Sequence, residues 1–269
     1  MNMFLIDNAV LIRLGSFALV FIVMALWEKV IPRRILNAPK KMRWLNNLFI
    51  TFLNSLAVKF VFPLTAIGVA LIAQKEGYGI LNIRGTSSLL GGFIAIIALD
   101  LTIYLQHRLF HNVLILWRLH RMHHTDLDID VTTGARFHPI EILLSMFIKM
   151  LAVLLIGAPA WSVLAFEVLL NATSMFNHSN IFMNRGIDRI IRLFVVTPDM
   201  HRVHHSVIIH ETNSNYGFNL PWWDRLFGTY RDQPLKGHEA MIIGLANYRD
   251  PKYLTLPWML VTPFLKRER

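Results

Sequence analysis

The chain is predicted to be an all-α integral membrane helical bundle with a cytoplasmic helical cap. Three observations predict this. Of 269 residues, 54% are hydrophobic and only 16% charged, against about a quarter charged in an ordinary soluble domain. Apolar stretches of spanning length alternate with basic or polar segments. Eight of the twelve histidines fall into three tight boxes: His107 and His111; His120, His123 and His124; His201, His204 and His205. Neutral imidazole is the commonest metal ligand in proteins, so the cap is expected to hold a histidine-rich dimetal site.

The first span covers residues 9–27, interrupted only by Arg13 near one end, where its head can snorkel. Residues 28–43 follow, with Lys29, Arg33, Arg34, Lys40, Lys41 and Arg43, and with Pro32 and Pro39 as helix breakers. Such a concentration of positive charge marks a cytoplasmic loop. Residues 48–73 are long enough to span with tilt, Pro63 is expected to kink them, and Lys59 is out of place on a lipid-facing helix. Residues 74–88 read as a short outer loop. A third span, 89–105, then returns the chain to the cytoplasmic side, just before His107 and His111.

A further apolar region, 140–175, is divided by Gly157-Ala158-Pro159. Each half is short for a full crossing. Whether they form two short spans or a re-entrant hairpin, the chain returns to the same side. His178 and the third box thus share a compartment with the first two boxes. The segment 195–247 has mixed, polar character, and the chain ends Lys266-Arg267-Glu268-Arg269. Three regions are expected: 1–88 with two spans, a catalytic unit at 89–247, and a basic cytoplasmic tail at 248–269. The absence of cysteine excludes disulfides and cysteine-ligated clusters. The net charge of +10 points to orientation and anionic lipid rather than to nucleic acid.

If the third span continues as a helix, 100° per residue puts Asp100, Tyr104, His107 and His111 within about 60° of one another. A carboxylate inside a span is a functional or pairing group by default. Asp100 or Tyr104 is therefore expected to bond the far nitrogen of a ligating histidine. In each H-R-x-H-H box, the first histidine and one of the last two can clip an ion across one helical turn. The adjacent pairs, about 100° apart, can reach two different ions. His178 is expected as an additional ligand. His138 is expected to be structural or to orient a ligand, with Glu141 as its partner. His210 and His238 stand isolated in polar context and are expected to be bland.

These residues resemble the fatty acid hydroxylase/sterol desaturase superfamily of membrane non-haem di-iron enzymes. The motifs are Asp100-x-x-x-Tyr104-x-x-His107-Arg108-x-x-His111, Trp117-Arg118-x-His120-x-x-His123-His124 and Arg136-x-His138-Pro139-x-Glu141. They continue through Asn177-His178-Ser179-Asn180, Pro198-Asp199-x-His201-x-x-His204-His205, Asn215-Tyr216-Gly217 and Trp223-Asp224-Arg225-Leu226-Phe227-Gly228-Thr229. The resemblance implies two irons held by the eight box histidines and His178, O2 as oxidant, and a lipid C–H bond as target. Asp199, Asn180 and Asn215 are further candidates to orient ligating rings. Ligand type alone also suits zinc or copper, so iron comes from the resemblance.

With no cysteine and no G-x-G-x-x-G, electrons are expected from a separate donor of cytochrome b5, ferredoxin or reductase type. Hydroxylation and desaturation share their first step and are not separated by these boxes. A membrane metal transporter or sensor is the competing reading, but transport ligands belong near the bilayer midplane. A zinc-dependent membrane hydrolase lacks H-E-x-x-H.

Overall fold

Backbone amides in hydrocarbon must bond within their own segment or close a barrel, and here every long apolar stretch is helical. The computed structural model describes residues 2–86 and 88–266. Among the described residues there is no strand, only isolated bridges between Pro32 and Ile181 and between Ser206 and Ile243. Four helical stretches are long and apolar enough to cross a membrane: Ala9–Val30, Lys40–Ile83, Ser88–Asn112 and Pro139–Ile156.

Helix α1 (Asn2–Asp7) leads into α2 (Ala9–Val30), which ends before Pro32. Helix α3 (Lys40–Val61) starts directly after Pro39. Pro63 does more than kink the second apolar stretch. The helix stops at Val61 and restarts as α4 (Ala66–Glu76), whose first turn is capped by the Thr65 hydroxyl accepting from Gly68 N. Lys59 lies exposed in the last turn of α3, beside carbonyls its charge complements. The short α5 (Ile80–Ile83) precedes α6 (Ser88–Asn112) and α7 (Leu114–His124).

Helices α8 (Pro139–Ile156) and α9 (Ala160–Asn177) form the hairpin, each about 27 Å long at 1.5 Å per residue. Gly157 ends α8 with φ +73°, and a Cβ on Gly79 would stand 2.2 Å from Gly157 N. Only glycine lets the two turns approach so closely. The cap is built from short pieces: α10 (Arg185–Ile191), α11 (Pro198–His204), α12 (Ile209–Thr212), α13 (Trp222–Leu226), α14 (Gly237–Ala240) and α15 (Leu256–Val261). The membrane core joins α4, α6, α8 and α9 through Ala70, Ala95, Leu99, Val153, Val163 and Phe166.

Several charges sit differently from expectation. Arg13 does not simply snorkel. It pairs with Glu167 of α9 at 3.1 Å, and Lys149 of α8 bonds the same carboxylate at 2.8 Å. Of the six cations at 28–43, three make internal bonds: Arg33 with Asp199, Arg34 with the carbonyls of His238 and Met241, and Arg43 with Asp126 and Asp130. Lys29, Lys40 and Lys41 are exposed.

Nor do residues 248–265 trail as a tail. Met259 packs against Ile50 and Met122, and Arg118 and Arg121 of α7 donate to the carbonyls of Pro263, Thr262 and Leu265. The Arg267-Glu268-Arg269 end lies outside the described residues.

Candidate metal centre

The site forms where the C-terminal end of α6 meets α7, the end of α9 and the short α11. Helix α11 starts sharply because Thr197 accepts from Met200 N, Pro198 occupies the first position and Asp199 follows in the first turn. It presents His201 and His204, with His205 as its cap. His178 caps α9 in the same way. All nine candidate histidines are brought together, in two groups. His107, His111, His120, His124 and His204 form one, and His123, His178, His201 and His205 the other. Within each group the candidate ligand nitrogens lie within 4.8 Å of one another.

The adjacent pairs divide as their 100° offset requires. His123 and His124 enter different groups, as do His204 and His205. The i,i+4 partners stay together, His120 with His124 and His201 with His205.

Hydrogen bonds from the far side of the rings decide what the near nitrogens can do. His107 Nδ1 donates to Tyr216 O (2.8 Å), His123 Nδ1 to Arg136 O (2.9 Å), His178 Nδ1 to Ser174 O (2.7 Å) and His204 Nδ1 to Ser214 O (2.7 Å). His120 Nδ1 donates to Glu141 Oε1 at 2.6 Å. A carbonyl or carboxylate only accepts, so each of these rings carries its proton on Nδ1 and offers a lone pair at Nε2. Yet the Nε2 atoms of His107 and His120 lie 3.1 Å apart, as do those of His123 and His178. Two lone pairs at that distance repel unless a cation lies between them.

The Nε2 atoms of His111, His204 and His205 are buried with no protein partner. Separations of 3.1 Å suit neighbouring nitrogens on one ion at about 2.1 Å from each. The donor set therefore fits two metal ions.

Burial, reinforced by the neighbouring rings, pushes His123, His124, His201 and His205 well below the usual histidine range. Burial likewise takes His178 down to about 4 and His204 to about 3. The rings are held neutral, the form in which imidazole ligates.

Other expectations are corrected. Asp100 and Tyr104 share the face of α6 with the histidines but bond none of them. Asp100 accepts from Trp223 Nε1 (2.8 Å) and Leu220 N (3.3 Å), and Tyr104 bonds the Thr229 hydroxyl (2.9 Å). Both lie further down the helix and hold the 215–229 segment beneath the site. Glu141 orients His120 rather than His138. His138 instead caps α8, accepting from Ile140 N while its other nitrogen donates to Leu260 O.

Asp199 pairs with Arg202 and Arg33. Asn180 brackets Arg34, accepting from its N–H and donating to its carbonyl. Asn215, in the left-handed region at φ 51°, donates to Met200 O and Arg231 O. It fixes the turn whose flanking carbonyls, Ser214 and Tyr216, orient His204 and His107. His210 is exposed. His238, expected to be bland, is buried with its Nε2 3.5 Å from Asp199, and burial takes it down to about 3.

Two features were missed. Phe137 stacks on His123 (4.5 Å) and faces His120, while Phe218 packs edge-on to His107 and tilted against His201. Each ring touches both histidine groups and walls the site toward the membrane core. The other is a charged clamp. Arg43 bonds Asp126 through two nitrogens (2.7 and 2.9 Å), Asp130 at 2.5 Å and Thr133 Oγ1 at 3.1 Å. The alternating Asp126-x-Asp128-x-Asp130 after the second box was its only sequence signal.

The family model for fatty acid hydroxylase matches residues 92–229, a stretch that contains all nine candidate ligands. The chain belongs to the fatty acid hydroxylase family. An ornithine lipid hydroxylase from Rhizobium tropici is 34% identical over 141 residues, 52% of this chain and 42% of that protein. Human alkylglycerol monooxygenase is 29% identical over 156 residues, 58% of this chain and 33% of its own. A Delta(7)-sterol 5(6)-desaturase from Eremothecium gossypii is 31% identical over 153 residues, 56% and 41%. The chain thus spans less than half the length of these curated relatives. No solved structure matches it.

Proposed function

We propose that this fatty acid hydroxylase family member is an O2-dependent di-iron oxidoreductase that hydroxylates or desaturates a lipid C–H bond. The observation that carries the reading is the convergence of nine imidazoles into two groups, with the tautomers of His107, His120, His123, His178 and His204 set so that their Nε2 lone pairs are free. His107, His111, His120, His124 and His204 would hold one iron, and His123, His178, His201 and His205 the other. When bound, the irons would supply activation of O2, which is the source of the oxidising equivalents for removing a substrate hydrogen.

The protein's part is positional. Backbone carbonyls and Glu141 fix ring orientation, a role that elsewhere tunes metal sites strongly. Phe137 and Phe218 keep water from the side on which an apolar chain would approach. The two relatives named as hydroxylase and monooxygenase, with the one named as desaturase, support the lipid class and leave the outcome of the first hydrogen removal open.

Residues 89–247 would form the catalytic unit, facing the cytoplasm beside the basic 28–43 loop. These 269 residues contain neither cysteine nor a dinucleotide-binding glycine motif. Electrons would therefore reach the site from outside them, from a donor of cytochrome b5, ferredoxin or reductase type. Purified protein is expected to contain two irons per chain and to consume O2 while oxidising a lipid in the presence of a reductant. Stoichiometric zinc without O2 consumption under the same conditions would refute the reading.

A further inference from the structure

We infer that α10 and α13 form a wedge embedded in the lipid leaflet on the histidine side of the membrane, with phospholipid itself as the occupant. The two short helices are joined: Trp222 Nε1 donates to Leu193 O at 2.7 Å and Arg225 to Arg192 O at 3.0 Å. With the turn that follows α10 they expose Ile187, Ile190, Leu193, Phe194, Trp222 and Leu226, among them Ile190 at 65% and Leu226 at 70%. Scattered exposed apolar residues are ordinary, but a joined patch of this kind marks an interaction surface.

Depth identifies what covers it. Trp223, within α13, bonds Asp100, and Phe227, just after it, stacks on Tyr104 at 5.4 Å. Asp100 lies seven residues before His107 on α6, about 10 Å toward the membrane interior. The third span, residues 89–105, lies within a hydrocarbon core of about 30 Å. It therefore includes both Asp100 and Tyr104, and α13 packs against a part of α6 that lipid surrounds. Helix α10 follows the end of α9 and is tied to the end of α2, where Phe182 N donates to Ile31 O.

Arg185, Arg189 and Arg225 are exposed on the same two helices. Apolar side chains with arginines beside them are the pattern of a segment lying in the interface, its cations reaching headgroup phosphates. An acidic protein partner would meet the arginines but could not follow the patch down to the level of Asp100. The inference rests on the membrane architecture and stands whichever lipid is oxidised.

The chain has no cysteine, so single thiols report cleanly. Leu226→Cys, Ile190→Cys and, as a cap-side control, Glu239→Cys, whose side chain is 83% exposed, would be placed in full-length protein in phosphatidylcholine/phosphatidylglycerol vesicles. Modification by a water-soluble maleimide is expected to be at least tenfold slower at 226 and 190 than at 239, as interfacial burial requires. Brominated phospholipid is expected to quench a fluorophore at 226 but not one at 239. Equal maleimide rates at all three positions would overturn the inference. So would protection that appears only when an acidic redox protein is added. These readouts do not involve turnover or metal, so they remain decisive even if the lipid-oxidising reading fails.

Discussion

The protein contains two buried polar clusters a few residues apart, and they are built on opposite rules. In the Arg43 clamp, each guanidinium nitrogen has an oxygen: both carboxylate oxygens of Asp126, one of Asp130, Thr133 Oγ1 and Asp128 O. Burial alone would raise the Asp126 carboxyl, but the adjacent Arg43 holds it below its ordinary value. In the histidine site the outer nitrogens of His107, His120, His123, His178 and His204 are satisfied while their inner ones face another ring or nothing. A buried network that closes on itself is structural, whereas one whose lone pairs converge asks for a cation. Arg136 links the two: its guanidinium braces Asn47 and Thr125 while its carbonyl orients His123.

The sharpest way to break the comparison is to delete inner ligands. His123→Ala and His204→Ala are each expected to abolish lipid oxidation and cut bound metal, measured by elemental analysis. After chelation, their thermal stability is expected to fall less than in the clamp variant, because each strands a neutral carbonyl, Arg136 O or Ser214 O, rather than buried charges. Arg43→Ala should do the reverse. It strands Asp126 and Asp130 without their cation, at a cost of about 3–5 kcal/mol, visible as a large fall in melting temperature even without metal. Glu141→Gln keeps the shape beside His120 but removes the charge, and is expected to weaken metal about 10–100-fold in a chelator competition.

Acid should act on one cluster before the other. His178 and His204 titrate near 4 and 3 in the fold, against about 6.5 when unfolded. Below pH 6.5 the unfolded chain therefore binds more protons, and metal-free stability declines as pH falls from about 6.5 toward 4. The clamp carboxylate Asp126, depressed below its ordinary value, keeps its contribution until lower pH. Melting curves of chelated protein between pH 7 and 4 would show an early decline; a flat profile there contradicts the neutral-ring assignment. The smallest effect is expected from His238→Ala, which removes a buried ring beside Asp199 but no ligand. Metal content and turnover should remain, and equal loss in His123, His204 and His238 variants would refute the site assignment.

The sequence by itself determined the helical membrane class, because uncharged runs of spanning length have few other options for their amides. It also determined the candidate ligands, because offsets of three, four and one along a helix translate directly into shared or divided faces. The split of His123 from His124 follows from that geometry alone. The apolar run at 48–73 showed its breaking residue, Pro63, but not that the helix would restart under a Thr65 cap.

Tertiary structure decided everything that depends on partners distant in the chain. The carbonyls of Ser174, Ser214 and Tyr216 have no side-chain signature, yet they choose the tautomers. Glu141 lies three residues from His138 and 21 from His120, and only the packing of α7 on α8 gave it to His120. Asp100 carried the right helical phase for a ligand partner but sits too far down α6, where Trp223 reaches it first. Periodicity records which way a residue faces; what stands opposite depends on how the helices pack.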